Sequence, residues 1–247
     1  NNLKKRKLQG LGSEDAVDAI LSSGNTFKLK NIRGNNQGLY VVYDDSFDLS
    51  SKLGITVHGI IGYEILKDFI VKISYGAQKI TFYDRDFYNE KVCNKCEVFD
   101  LEFYGNKPYI KAEVQLAATK APTPVKLLID SGGSDAMWLF EGSHPDLVSP
   151  EKYFIDFLGE GLSGTIYGKR TFIESLNLGR FKLKRPSVSY PDSIAIMKAR
   201  KFKTRNGSLG ASILKRFVVT IDYANKTIKL KKGNDFNDPF RYNMSGI

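Results

Sequence analysis

Two stretches of the chain carry the same alternation of apolar and polar residues. Phe69-Ile70-Val71-Lys72-Ile73-Ser74-Tyr75 and Phe217-Val218-Val219-Thr220-Ile221-Asp222-Tyr223 each place a polar residue at every second position from the fourth onward. That period predicts a strand with one face in the core. A tight turn and a second strand come next in each, Lys79–Tyr83 and Thr227–Leu230. A short helical turn precedes each, Tyr63–Lys67 and Ala211–Lys215. Before the helix stands a pair, Ile60-Ile61 or Ser208-Leu209, running into a glycine.

The two stretches are copies of one unit. Gly59 and Gly207 open them, 148 residues apart, and the two copies align without a gap. Both glycines, the Ile-Leu-Lys of the helix, and a Phe, a Val, an Ile and a Tyr of the strand coincide, and Ile80 matches Ile228. Upstream the match is looser. Gly10-Leu11-Gly12 resembles Gly159-Glu160-Gly161, and a hairpin is expected after each, over Ser13–Ser23 and Leu162–Ser175. Phe27-Lys28-Leu29-Lys30 then matches Phe181-Lys182-Leu183-Lys184 as the next strand. The expected organisation is a first lobe over 1–88, a second over 97–233, and an extension over 234–247 that trails off. The polar stretch Asp84–Cys96 joins the lobes.

Further strands are expected at Val98–Phe103 and Tyr109–Leu116, on either side of the turn Tyr104-Gly105-Asn106-Lys107-Pro108. The apolar run Val125–Ile129 reads as a buried strand, and it ends in Asp130-Ser131-Gly132-Gly133-Ser134-Asp135. A carboxylate there leaves the core where the backbone turns sharply. The glycines permit a tight turn and close approach of another backbone. The Ser131 hydroxyl can hold the turn by a local hydrogen bond. This is a way to mount a general acid or base on rigid structure, and it is equally the pattern of an ordinary turn after a strand.

Composition narrows the choices. Sixteen Phe and thirteen Tyr favour strands. No apolar run approaches the roughly 18 residues of a membrane-spanning helix. The net charge of +10 is spread along the chain, with small clusters at Lys4–Lys7 and Ala199–Arg205, and no nucleic-acid-binding motif accompanies it. Solvated faces are the expected reading of the clusters. Cys93 and Cys96 cannot make a zinc site, because His58 and His144 lack ligand-pair spacing. A small turn remains, or a disulfide loop if the compartment is oxidising. No metal and no cofactor is expected.

An Asp-Ser-Gly after a strand, a glycine-rich hairpin about 30 residues on, then two apolar residues, a glycine and a short helix together resemble the pepsin-like and retropepsin-like aspartic peptidases. Ile60-Ile61-Gly62 followed by Ile65-Leu66 is especially similar to retroviral proteases. The resemblance covers the second lobe fully and the first in part, and it implies an all-β, two-lobed fold with a pseudo-twofold repeat. It implies an endopeptidase in which two carboxylates share a proton and activate a water. Asp130 would be one of them, with Ser131 and Gly132 supporting the loop. Gly133 and Ser134 would line the cleft. The hairpin around Gly161, Gly164, Tyr167 and Gly168 would close as a flap over an extended peptide or protein substrate, Gly164 and Tyr167 contacting it. The resemblance further implies a bacterial protein in a periplasmic or exported setting. It also implies a PDZ-type module beyond the C-terminal extension.

One departure matters. Asp130 precedes Gly159 by 29 residues, and the corresponding position before Gly10 lies upstream of Asn1. Asp44, Asp45 and Asp48 have no glycine turn after them and read as polar loop. Three accounts are open. The second Asp lies on a preceding segment, or the lobe has lost it and the protein is a peptide-binding or structural pseudopeptidase, or two chains pair their Asp130 residues. A chymotrypsin-like serine peptidase is the remaining alternative, since Asp130-Ser131-Gly132-Gly133 also resembles its nucleophile motif. It needs His58 as the base, yet His58 matches Asn206 in the repeat and reads as a turn residue that is partly buried.

Overall fold

The structure, a computed structural model, describes residues 3–30, 32–43, 49–89, 92–202 and 204–242. The first lobe holds β1 (Leu3–Leu8), β2 (Val17–Leu29), β3 (Ile32–Val42), α1 (Leu49–Leu53), α2 (Tyr63–Leu66), β4 (Phe69–Ser74) and β5 (Lys79–Asp84). The second begins with β6 (Cys96–Asp100), β7 (Glu102–Tyr104), β8 (Lys107–Gln115), β9 (Thr123–Ile129) and β10 (Met137–Leu139). It continues with β11 (Phe154–Gly161), β12 (Gly164–Phe172), β13 (Ser175–Leu178), β14 (Phe181–Lys184), β15 (Ser187–Pro191) and β16 (Gly207–Leu209). It ends with α3 (Ala211–Leu214), β17 (Phe217–Asp222) and β18 (Thr227–Lys232). The fold is all-β and two-lobed.

The lobes join through one sheet in the order β5-β4-β17-β18-β6. Its centre is the antiparallel pair β4 and β17, in which Lys72 faces Thr220, Val71 faces Ile221 and Ile73 faces Val219. Lys72 and Thr220 are equivalent residues of the repeat, so a local twofold axis passes between them. The flanking hairpins obey it: Ile70 pairs with Tyr83, and Val218, its equivalent, pairs with Lys231. The main core lies in the second lobe and on this sheet, around Ile110, Leu127, Met137, Leu176, Leu209, Phe217 and Leu230.

Burial does not follow the symmetry. In the second lobe β16 lies between β9, parallel to it, and β10, antiparallel to it. A Cβ on Gly207 would sit 1.9 Å from the Trp138 carbonyl oxygen, and one on Gly210 would sit 2.2 Å from that of Asp135. Only glycine lets these backbones approach so closely. The equivalent Gly59 and Gly62 face open space. Leu209 is 0% exposed, whereas Ile60 and Ile61 are 76% and 53% exposed. His58 is likewise exposed rather than partly buried, because no strand covers this stretch among the described residues.

Two hairpins, β1–β2 and β11–β12, meet tip to tip. The Ser163 N–H donates to the Leu11 carbonyl at 2.9 Å, and the Glu14 N–H donates to the Ser163 carbonyl at 2.8 Å. A Cβ on Gly12 would collide with Ser163 O, and one on Gly161 with Leu11 O. Leu11 packs with Leu158, Ile166, Ala195 and Trp138. The expected hairpin boundaries change. In the second lobe the turn falls at Leu162-Ser163, so the hairpin spans 154–172. In the first, Ser13–Ser23 is not a hairpin, because β2 runs on through Gly24-Asn25 as a bulge. Gly24 takes φ +78, and the Asn25 amide donates to the Ser22 and Gln37 carbonyls at 2.8 and 3.1 Å, which satisfies the bulged backbone. Asp44, Asp45 and Asp48 lie outside the described residues.

The C-terminal extension does not trail off at once. A short 3-10 turn, Asn234–Asn237, buries Phe236, and the Arg216 guanidinium donates to the Asp235 and Asp238 carbonyls while lying 3.7 Å from the Phe240 ring centre. Cys93 and Cys96 form a disulfide in the connection between lobes.

The asymmetry has a measurable consequence in this chain. Leu209→Ala should cost about 2–5 kcal/mol of stability, and Ile61→Ala about 0.5 kcal/mol or less, read from urea unfolding midpoints. A second consequence concerns Asp222, which joins the lobes by pairing with Arg85 at 2.6 Å. Burial works against its charge, but Arg85 and the Asn225 amides outweigh it and hold the carboxyl below its usual range. The folded pKa is therefore the lower one. Its stabilisation is present above the unfolded value of about 4 and is lost as pH falls through the folded value. Acid unfolding followed by circular dichroism should show a shallower dependence in Asp222→Asn.

Candidate active site around Asp130

Asp130 follows the last residue of β9, where pairing with β16 continues for one more bond: its N–H donates to the Leu209 carbonyl at 3.0 Å. The chain then turns back on itself. The N–H groups of Gly132 and Gly133 both donate to Asp130 Oδ1, at 3.2 and 3.1 Å. Both glycines lie so near the carboxylate that an added Cβ would touch it, at 3.6 and 3.4 Å. Two backbone donors on one oxygen fix the direction of the carboxylate. Oδ2 accepts no hydrogen bond among the described residues. One oxygen is thus held while the other is free for an incoming group.

The loop is clamped from below by the start of α3. The Gly133 carbonyl accepts from the Ala211 N–H at 2.7 Å, the Ala136 carbonyl accepts from the Gly210 N–H at 2.9 Å, and the Ser134 carbonyl accepts from the Ser212 hydroxyl at 2.9 Å. Ser131 is exposed, and its hydroxyl has no protein partner among the described residues. The expected hydroxyl support is therefore replaced by the glycine N–H groups and the α3 backbone. Ser134 is exposed and Gly133 half-buried beside Asp130.

The flap residues separate. Gly164, at φ +96, is buried at the hairpin tip, where a Cβ would strike the Glu14 carboxylate of the first lobe. Tyr167 lies half-exposed on the face opposite Ile166, with its ring 5.9 Å from that of Phe157 in an edge-on arrangement. Gly168 is packed against the Tyr190 carbonyl. Gly132, Gly133 and Ser134 are thus gathered at Asp130, whereas Gly164 and Tyr167 belong to the hairpin.

Two arginines complete the site and were not singled out in the sequence. Arg205, in the basic cluster read as solvated, is only 4% exposed. Its Nε donates to the Gly207 carbonyl at 3.1 Å, an NH2 donates to the Ser208 hydroxyl at 3.0 Å, and the guanidinium lies 4.9 Å from the Phe140 ring centre. Burial pushes its pKa down, while Tyr109 and the Asp130 carboxylate pull it up. Asp130 therefore has a buried cation within electrostatic reach. The available signal was position, since Arg205 stands two residues before the repeated glycine unit. Neighbouring Asn206 is buried, its side-chain oxygen accepting from the Lys126 N–H and its side-chain nitrogen donating to the Ser143 carbonyl.

Arg170, on β12, links the β11–β12 hairpin to the Asp130 loop. Its NH1 donates to Asp135 Oδ1 at 2.6 Å, and both side chains are 14% exposed. Asp135 Oδ2 accepts from Trp138 Nε1 at 2.7 Å and from the Ser189 hydroxyl at 2.8 Å. Arg170 Nε lies 2.8 Å from Asp156 Oδ2, angled as an ion pair rather than a hydrogen bond. Asp135 thus ties β10 to the β11–β12 hairpin and to β15. Trp138 is the one tryptophan of the chain. Asp135→Asn leaves Arg170 with Asp156 as its remaining carboxylate partner and should cost about 1–3 kcal/mol. Urea unfolding monitored by Trp138 emission checks this directly.

No protein-family model matches the chain, and no curated protein matches it. Among solved structures, a crystal structure of a retropepsin-like aspartic protease from Rickettsia conorii aligns over 55% of this chain and 98% of that one, at 16% identity and a TM-score of 0.34.

Proposed function

We propose that this chain belongs to an aspartic endopeptidase in which Asp130 is one of two carboxylates that activate a water. The observation that carries this reading is Asp130 itself: a strand-end carboxylate with one oxygen fixed by two glycine N–H groups and the other free. Two carboxylates brought together cannot both ionise, so one accepts a proton from water while the other donates to the substrate carbonyl. On this reading the local twofold axis at Lys72 and Thr220 would relate the Asp130 loop to a counterpart beside Gly59–Gly62. There Ile60 and Ile61 are uncovered, and the glycines have room for a second backbone. On this reading the second carboxylate arrives on a strand from a segment preceding Asn1.

The substrate is an extended peptide or protein segment. Gly133 and Ser134 line the cleft beside Asp130, and the β11–β12 hairpin, with Gly164 and Tyr167, closes over the peptide. The Asp135–Arg170 pair keeps that hairpin in register with the loop. An exported setting is part of the same proposal and is supported by the Cys93–Cys96 disulfide.

The test uses protein carrying its preceding segment. Asp130→Asn should reduce pepstatin-sensitive peptide cleavage by about 10³-fold or more without changing the circular dichroism spectrum. Cleavage that persists unchanged removes Asp130 from the chemistry. Peptide binding without turnover in the unmodified protein would instead favour a peptide-binding pseudopeptidase.

A further inference from the structure

Away from Asp130, a groove of about 580 Å³ runs between β14 and the C-terminal segment. β14 ends the larger sheet, so one of its edges has no strand beside it among the described residues. The phase of its pairing with β13 is fixed by the Arg185 N–H, which donates to the Glu174 carbonyl at 2.9 Å. Hydrogen-bonded pairs alternate along an antiparallel ladder. The pairs Ser175–Lys184 and Asn177–Lys182 are therefore the wide ones. The backbone N–H and C=O groups of Lys182 and Lys184 point away from β13, into the groove.

The walls give the opening a chemical character. Lys182, Lys184 and Arg185 line it from the strand and the turn after it, Phe240 lines it from the C-terminal segment above the buried Phe236, and Phe172 also lines it. The one carboxylate among the lining residues is Asp238. Phe181 and Leu183 point into the core, so the two lysines share the opposite face of the strand. A peptide added to this edge would alternate in the same way. Residues on one face would meet the lysines, and those on the other would meet the half-buried Phe240.

We infer that the free edge of β14 is a binding site for an extended acidic peptide that alternates carboxylate and apolar side chains and pairs with the backbone of Lys182 and Lys184. The site is independent of Asp130 and of any peptidase activity. Edge lysines can also serve only to repel neighbouring strands, and the experiment separates the two roles.

The probe is a short fluorescein-labelled peptide alternating glutamate and valine, added to the full chain and followed by anisotropy and by hydrogen exchange. Saturable binding is expected, with slowed exchange at the Lys182 and Lys184 amides. Lys182→Glu combined with Lys184→Glu should weaken it about tenfold or more, and a lysine–valine peptide should not bind. Absence of binding overturns the proposal. So does equal binding of the lysine–valine peptide. So does equal binding of an all-glutamate peptide that leaves both amides unprotected, since the cations would then attract acids without building a strand.

Discussion

The three-residue strand Gly207–Leu209 is the constraint on which the second lobe depends. It has a strand on each side, and Leu209 touches both through its backbone. It faces Ile129 on β9 and Met137 on β10, and it accepts from the N–H of Asp130. Because β9 and β10 are the two arms of the Asp130 loop, holding them to one central strand fixes the distance the loop must span. The two flanking glycines make that spacing possible, because any side chain there would drive the backbones apart. The first turn of α3 comes directly after and supplies the N–H groups that close the loop from below.

The repeat therefore behaves differently in its two copies. The strand registers are the same under the twofold axis, down to the pairing of equivalent residues at the centre of the shared sheet. The glycine units are not in the same environment. One is wedged between strands, while the other lies open with two isoleucines facing outward. Secondary structure needs only local pattern and one neighbouring strand, so β4 and β5 form regardless. Burial of Ile60 and Ile61 needs a second layer, and the described residues of the first lobe do not provide it.

The parts legible from sequence were those with short-range causes. The repeated strands, both short helices of the repeat and the strand leading to Asp130 arise from period and from glycine, and each falls within a residue or two of its expected bounds, whereas the strand expected over Val98–Phe103 breaks at Leu101 into β6, which pairs with β18, and β7, which pairs with β8. Hairpin turns were read less well. Leu162-Ser163 carries no strong turn signal, and Gly24-Asn25 carries one that the fold spends on a bulge. The expected role of the Ser131 hydroxyl went to backbone amides, which sequence does not display. Arg205 and Arg170 were hidden for a different reason. An arginine reads as surface until its partners are known, and here they are a phenylalanine 65 residues upstream and an aspartate 35 residues away. Asp135 stands in the turn after β9, and its three partners lie on three different strands, β10, β12 and β15.

The join between the lobes also sets an order of events. β4 finds its central neighbour, β17, only across most of the length of the chain, so that ladder has a very high contact order. Closing so long a loop carries a large entropic cost before any contact rewards it. During synthesis from the N terminus, the β4–β5 hairpin is complete long before β17 leaves the ribosome. It must wait with one edge open, and Lys72 in the middle of that edge is a charge that discourages premature pairing with another nascent chain.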